Sequence, residues 1–297
     1  MIWKPNKITV DQDTQDNNRR WWTDFPMNYD NLAKDPLGLQ EGTEEFFDEI
    51  DSRFFGQSVL HGGTPPFSKL IPFDSLNGKR VLEIGCGMGS HAQMLTEAGC
   101  LLTAIDLTSR AVELTRKRLA IRGLSSDVRV MDAEQMEFED EEFDFIWSWG
   151  VIHHSAHPDR IMREACRVLK PSGEIRMMVY YRRALMAYID IVRGVCTGKL
   201  FKGMNLDDIL SYYTDGFTAR FYTRAELSSV LKKSGFRDVT TSVMGQMTDL
   251  VPIPKKLIGD KLKSRLIRNI PDGVADSLLS RIGSFLFAVA VKGSGKG

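Results

Sequence analysis

The chain has 297 residues, of which 42% are hydrophobic and 26% charged, and its 39 Lys and Arg are balanced by 39 Asp and Glu. Such a composition supports a buried core without metal or disulfide staples, and a net formal charge of zero removes the basic field expected of a nucleic-acid binder. The four cysteines, Cys86, Cys100, Cys166 and Cys196, form no CxxC pair, so neither a zinc site nor a redox dithiol is predicted, and no metal cluster is visible. The N-terminus lacks a signal-peptide core, and no apolar run approaches the roughly 18 residues of a membrane span, so a cytoplasmic protein is expected.

In chain order, residues 1–20 are polar and read as mobile. The aromatic stretch from Trp21 to Gly38 reads as irregular, giving an N-terminal irregular segment over 1–40. Phe46, Phe47, Phe54 and Phe55, behind Thr43 as N-cap, predict an amphipathic helix lying on the main domain. From Lys79 a βαβ rhythm begins: strands "RVLEIG", "CLLTAIDL", "DVRVMDA", "FDFIWSWG" and "EIRMMVYY" alternate with helices that stop at Gly99, Gly123 and a Pro-Ser-Gly exit. That alternation implies right-handed crossovers and a mostly parallel sheet. Residues 41–182 form the α/β core on this reading. Residues 183–222 are a helical insert after the fifth strand, and 223–297 complete the core. Thr223 and Glu226 stand in capping-box spacing, and the last two strands are predicted at Phe236–Gly245 and Ser284–Val291. Within 255–268, Lys255, Lys256, Lys261, Lys263, Arg265 and Arg268 face a single acid, Asp260. The segment reads as an amphipathic helix on the sheet with a solvated basic face; peripheral membrane contact is the alternative.

The chemistry is concentrated in "VLEIGCGMGSHA". A strand ends in Glu83 and runs into a turn with glycines at 85, 87 and 89, followed by a helix start. Glycines let backbone approach a ligand closely, and helix N–H groups favour its polar atoms. Asp106 ends the next strand, 21 residues after Gly85, the position from which a carboxylate grips a ribose diol. A dinucleotide fingerprint requires Gly or Ala where Ser90 stands, and Glu83 suits a cationic ligand better than a pyrophosphate.

"VLEIGCGMG", "AIDLT", "MDAEQMEFEDEEFDFIWSWGVIHH" and "REACRVLKPSGEI" together resemble class I methyltransferases that use S-adenosylmethionine (SAM). The branch they resemble contains ubiquinone/menaquinone-type and sugar or natural-product O-methyltransferases. The resemblance covers about residues 78–182 and implies a Rossmann-like seven-strand sheet with helical N-terminal and post-β5 lid additions. It further implies that Glu83, Gly85, Cys86, Gly87 and Gly89 cradle the methionine part of SAM, and that Asp106 binds the ribose hydroxyls. Leu107 would lie on the adenine, Asp132 with Ala133 would receive the adenine amino group, and the backbone around Trp149 would reach the methionine amino group.

On the acceptor side, His153, His154 and His157 lie just past the fourth strand. His153 or His154 could remove a hydroxyl proton during O-methyl transfer, or merely support the turn, while His157 reads as a helix-start residue. Strand alternation sends either Tyr180 or Tyr181 toward the site. The reading is therefore a SAM-dependent methyltransferase of a small molecule or carbohydrate, acting at a hydroxyl. C-methylation of a quinone or lipid at a membrane surface, and a non-catalytic SAM-binding module, are the alternatives. Nucleic acid is disfavoured as acceptor, and the sequence leaves the oligomeric state open.

Overall fold

The computed structural model describes residues 13–26, 38–56, 63–253 and 259–293. His61, the segment 27–37, Lys255, Lys256 and the last four residues lie outside them. Five parallel strands, β1 (Arg80–Ile84), β2 (Leu101–Asp106), β3 (Asp127–Val130), β4 (Phe143–Trp149) and β5 (Leu169–Tyr181), stand in the order β3-β2-β1-β4-β5. The sheet continues through β8 (Phe285–Lys292) to β7 (Phe236–Met244), with β8 antiparallel to both neighbours. These are the seven strands expected. An eighth, the two-residue β6 (Phe221–Tyr222), pairs with the end of β5.

Alternation along the strands divides the core into two layers, one per sheet face. Leu82, Ile84, Ile146, Ile175, Met177, Val179, Tyr181 and Leu286 pack with α6 (Pro158–Val168) and α9 (Arg224–Lys233). Val81, Phe145, Trp147, Met178, Phe285 and Phe287 face the other way, onto α3 (Phe73–Leu76), α4 (Ser90–Glu97) and α5 (Ser109–Ile121). The same alternation settles the tyrosine pair: Tyr181 is core, while Tyr180 packs with the opposite layer.

Helix α2 (Glu44–Gly56) forms as its phenylalanine spacing predicts, with Thr43 Oγ1 accepting from the Phe46 N–H at 3.3 Å. Its Phe46, Phe47 and Ile50 bury against Met88 of the glycine turn and Leu114 of α5. The Thr223–Glu226 capping box forms at the start of α9. Two expectations need correction. Thr14–Asp24 is a helix, α1, where a mobile and then irregular tail was expected. Its buried residues are the polar Thr14 and Asn18, so no apolar period advertises it. Strand β5 starts at Leu169, before the Pro-Ser-Gly exit, because the chain bulges there: register with β4 shifts between Phe143 and Phe145, and Ser172 has φ 63°. After β5 come α7 (Leu185–Cys196) and α8 (Leu206–Tyr213); α10 (Asp260–Arg268) and α11 (Asp272–Ile282) precede β8.

One buried cation ties α2 to the sheet layer. Arg118 of α5 is 1% exposed, pairs with Asp51 of α2, donates to Gln93 Oε1 at 2.8 Å and to Ser90 Oγ at 3.2 Å, and lies over the Phe47 ring. Removing one partner of a buried pair leaves an uncompensated charge. Asp51→Ala is therefore expected to destabilise the protein by about 3 kcal/mol in urea unfolding, and Asp51→Asn by less. A loss near zero would show that Arg118 is satisfied without α2.

Candidate active site

The carboxyl ends of β1, β2 and β4 meet where the chain leaves β1 in both directions along the sheet, the crevice in which open α/β sheets bind ligands. A cavity of about 620 Å³ opens there. Its wall brings together Gly85, Gly87, Asp106, Leu107, Asp132, Ala133, Trp149 and His154 of the residues expected from sequence. Glu83, Cys86, Gly89 and His153 lie off that wall.

The glycine turn is shaped by its conformations and its neighbours. Gly85 has φ 83°, and a Cβ there would fall inside the Val151 side chain. The N–H groups of Gly85 and Cys86 donate to the Ile105 carbonyl at 2.8 and 3.1 Å, which clamps the turn onto β2. The Gly87 N–H donates to Asp106 Oδ2 at 3.2 Å, while Asp106 Oδ1 accepts from the Thr108 N–H and hydroxyl at 2.9 and 3.0 Å. Burial raises the Asp106 pKa, and those donors pull it back down. Asp132 Oδ1 accepts from the Glu134 N–H at 2.9 Å and from Gln15 Nε2 at 3.0 Å.

Behind the turn, Glu83 is 1% exposed, and its Oε2 has no hydrogen-bond partner among the described residues. Burial pushes its carboxyl up to about 8; the nearby Asp106 charge adds to the rise and Arg118 opposes it. The nearest basic group is His91 of α4, whose Nδ1 lies 3.8 Å from Glu83 Oε1. His91 also lines the cavity and meets the Phe67 ring edge-on. It was missed in the sequence, although its place two residues past Gly89 puts it in the first turn of the helix that leaves the glycine loop.

The two central histidines separate sharply. His153 is fully buried, packs against Tyr180 with centroids 3.9 Å apart and the rings tilted at 47°, and neither of its ring nitrogens has a hydrogen-bond partner among the described residues. Burial, together with His154 beside it, holds its pKa far below the ordinary histidine value. His154 lies on the cavity wall with Nδ1 2.8 Å from the Thr218 carbonyl oxygen. A carbonyl only accepts, so Nδ1 carries a proton, and in the neutral form of the ring the lone pair is on Nε2. Trp22 of α1 meets this ring edge-on at 4.9 Å, and Gly216, at φ 77°, lets the 214–218 loop pass against it where a Cβ would collide with Nδ1. Tyr180 also lines the cavity and donates to Asp215 Oδ1 at 2.6 Å. His157 stands at the N-cap of α6 as expected, its N–H held by Glu134 Oε1 at 2.8 Å.

Helix α1 forms the outer wall with Gln15, Asn18 and Trp22. The Ala156 N–H donates to Gln15 Oε1 at 3.2 Å, which fixes that amide so that its nitrogen meets Asp132. Asn18 Nδ2 donates to the same Oε1 at 3.2 Å, which fixes the second amide in turn. Asn18 Oδ1 is left as a buried acceptor with no partner among the described residues, on a side chain that lines the cavity.

A family profile described as "Methyltransferase domain" matches residues 82–177. The chain is 30% identical over 210 residues to "Methyltransferase GfsG" of Streptomyces halstedii, covering 63% of this chain and 74% of that protein. It is 32% identical over 126 residues to "Ubiquinone biosynthesis O-methyltransferase" of Actinobacillus pleuropneumoniae, covering 41% of this chain and about half, 53%, of that enzyme. Among solved structures, a SAM-dependent methyltransferase from Archaeoglobus fulgidus superposes with a TM-score of 0.52 at 16% identity, over 76% of this chain and 90% of that one. That likeness concerns the fold.

The raised Glu83 pKa has a stability consequence that needs no ligand. Folded protein holds this proton up to about pH 8, whereas the unfolded chain releases it near 4.5, so folding becomes less favourable as pH climbs between those values. Glu83→Gln keeps the neutral form at every pH. Its melting temperature is expected to match wild type below about pH 4.5, to exceed it increasingly up to about pH 8, and then to hold a constant margin. A margin independent of pH would show that Glu83 is ionised in the folded protein.

Proposed function

The chain belongs to the class I SAM-dependent methyltransferases, and from that premise we propose that it methylates a hydroxyl of a small-molecule or carbohydrate acceptor with His154 as general base. The observation that carries the proposal is the fixed tautomer of His154: a cavity-wall imidazole whose Nδ1–H is spent on the Thr218 carbonyl, leaving Nε2 basic.

The residues present fit the cofactor. SAM is a cation that carries an ammonium, two ribose hydroxyls and an adenine amino group. The cavity meets it with Asp106, Asp132, Asp190, Asp215 and Asp249, and has no Lys or Arg among its described lining residues. A dinucleotide pyrophosphate would find no cation there, which counts against the dehydrogenase that a glycine-rich turn could also suggest. Gly85 and Gly87 would admit the backbone to the methionine part, with Glu83 behind them. Asp106 would hold the ribose, and Asp132 with Leu107 and Ala133 the adenine. The orphaned Oδ1 of Asn18, a cavity-wall residue, is an acceptor that a donor-rich ligand would satisfy.

When bound, the cofactor supplies an activated methyl group on a sulfonium. What remains for the protein is alignment and one proton. His154 Nε2 takes the acceptor hydroxyl's proton as the oxygen attacks, and the resulting imidazolium keeps its Nδ1–H bond to Thr218. Asp215, with Tyr180 hydrogen-bonded to it, can receive a second hydroxyl of the acceptor and so turn the reactive one toward the methyl. His153 has no part in the proton transfer; it packs beneath Tyr180 as a neutral ring. Carbon methylation of a quinone or lipid needs no base of this kind at a hydroxyl, and a non-catalytic module needs none at all.

Two measurements follow. In transfer of labelled methyl from SAM into an extract of source cells, His154→Ala is expected to lose about a hundredfold or more of the rate while its affinity for S-adenosylhomocysteine stays within about threefold. A rate within about threefold of wild type would remove His154 as the base. In calorimetric titration, Asn18→Ala is expected to bind S-adenosylhomocysteine about fivefold to tenfold more weakly. Its melting temperature without ligand should be equal to or above wild type, because an unsatisfied buried oxygen is gone. Unchanged affinity, or a fall in the unliganded melting temperature, would make Asn18 a structural residue.

A further inference from the structure

Helix α7 forms part of the cavity wall with Met186, Ala187 and Asp190, and packs Gly194 against Ile209 of α8. Its other face is apolar and turned to solvent. Tyr188, Val192 and Val195 recur at helical spacing and are exposed, Val192 by 61%. The 3₁₀ turn Leu200–Lys202 that follows extends the stripe with Leu200 and with Phe201, 94% exposed, and Leu206 continues it at the start of α8. Isolated exposed hydrophobics are ordinary; six within 19 consecutive residues of one lid make a patch that calls for a partner.

The charges identify which partner. From Tyr188 to Leu206 there are three cations, Arg193, Lys199 and Lys202, and one acid, Asp190, which faces the cavity; Asp207, next in the chain, pairs with Arg182. Arg193 stands over the Tyr213 ring at 4.3 Å and Lys199 over the Tyr212 ring at 3.3 Å, so two of the three charges are held at the patch by aromatic faces. A second copy meeting this face about a two-fold axis would set these cations against their own counterparts. An anionic lipid surface offers the complement to both features: acyl chains and glycerol backbones for Phe201, Leu200 and Val192, and headgroup phosphates for the cations. No helix among the described residues is long and apolar enough to cross a membrane, so the contact is with the surface.

We infer that the outer face of α7, with the Leu200–Lys202 turn and Leu206, docks on an anionic lipid bilayer. This is a different surface from the basic segment 255–268, whose first half lies outside the described residues. Docking here sets the acceptor wall of the cavity at the membrane. Resting on the proposed hydroxyl methylation, the acceptor is then the polar head of a membrane-anchored amphiphile, its hydroxyl reaching His154 while its tail stays in the bilayer.

The test is co-sedimentation of the full chain with vesicles, without cofactor, so that its outcome is independent of the methyl-transfer reading. Vesicles of phosphatidylcholine alone are compared with vesicles containing about a quarter phosphatidylglycerol. Binding is expected on the anionic vesicles and is expected to be released by high salt. Val192→Glu with Phe201→Glu should lower the bound fraction about fivefold or more, and Lys199→Glu with Lys202→Glu should do the same. Unchanged S-adenosylhomocysteine binding by these variants certifies that they are folded. The inference is overturned if wild type stays in the supernatant with anionic vesicles, or if the variants sediment as wild type does. It is also overturned, in favour of a second copy, if sedimentation velocity shows a dimer that Phe201→Glu dissociates.

Discussion

Between Gly85 and Val151 there is no room for a Cβ, and the site depends on that closeness. Gly85 ends the run out of β1, and Val151 lies just beyond β4; their contact holds the ends of two neighbouring strands together. Two N–H groups of the same turn donate to the Ile105 carbonyl, which brings in the end of β2. Three strand ends are thus fastened at one point, and each delivers a group that a ligand could use: the turn itself from β1, Asp106 from β2, and the backbone at Trp149 and Gly150 from β4. A side chain at position 85 would also have to adopt φ near +83°, a conformation that disfavours any residue with a Cβ. Space and backbone conformation therefore select the same residue.

The electrostatics follow from where that turn sits. Acids placed at strand ends face the crevice, and cations are kept out of it: Arg118, the cation closest to the turn, points back into α2 and α4 rather than forward. Glu83 is left with a raised pKa and an oxygen that no group among the described residues satisfies. A buried acid left in this state is destabilising in the empty protein. It becomes favourable only against a ligand that brings positive charge or donor hydrogens, and such a ligand is also favoured by the five aspartates on the cavity wall.

Much of this was legible in the chain because it is local. The glycine spacing, the acid at the end of the next strand and the helix caps are read within a few residues; Asp106 and Asp132 stand on the cavity where strand-and-turn logic puts them, and Trp149 where the family resemblance implies. The histidine pair shows where local reading stops. His153 and His154 are adjacent, chemically identical and equally close to β4, and what separates them is tertiary: Thr218 and Gly216, more than 60 residues away, place a carbonyl at the second ring, while Tyr180 covers the first. Helix α1 was illegible for a different reason. It binds the core through the amide of Gln15 and one edge of Trp22, and its buried residues are the polar Thr14 and Asn18, so it carries no hydrophobic period, and a polar sequence of that kind is indistinguishable from a mobile tail until its partners are in place.

That helix then links the two halves of the chemistry. Gln15 sits at Asp132, the adenine end on the proposed reading, and Trp22, two turns later, sits against His154 at the acceptor end. Among the interactions that hold α1 in place are Gln15 on Asp132 and Ala156, Arg110 on the Thr23 carbonyl, and the Trp22 edge. Each of these is a small contribution. A ligand that donates to Asn18 adds one of those contributions from inside the cavity. Trp22 already stands against His154, so the helix that meets Asp132 at one end of the cavity also shapes its other end.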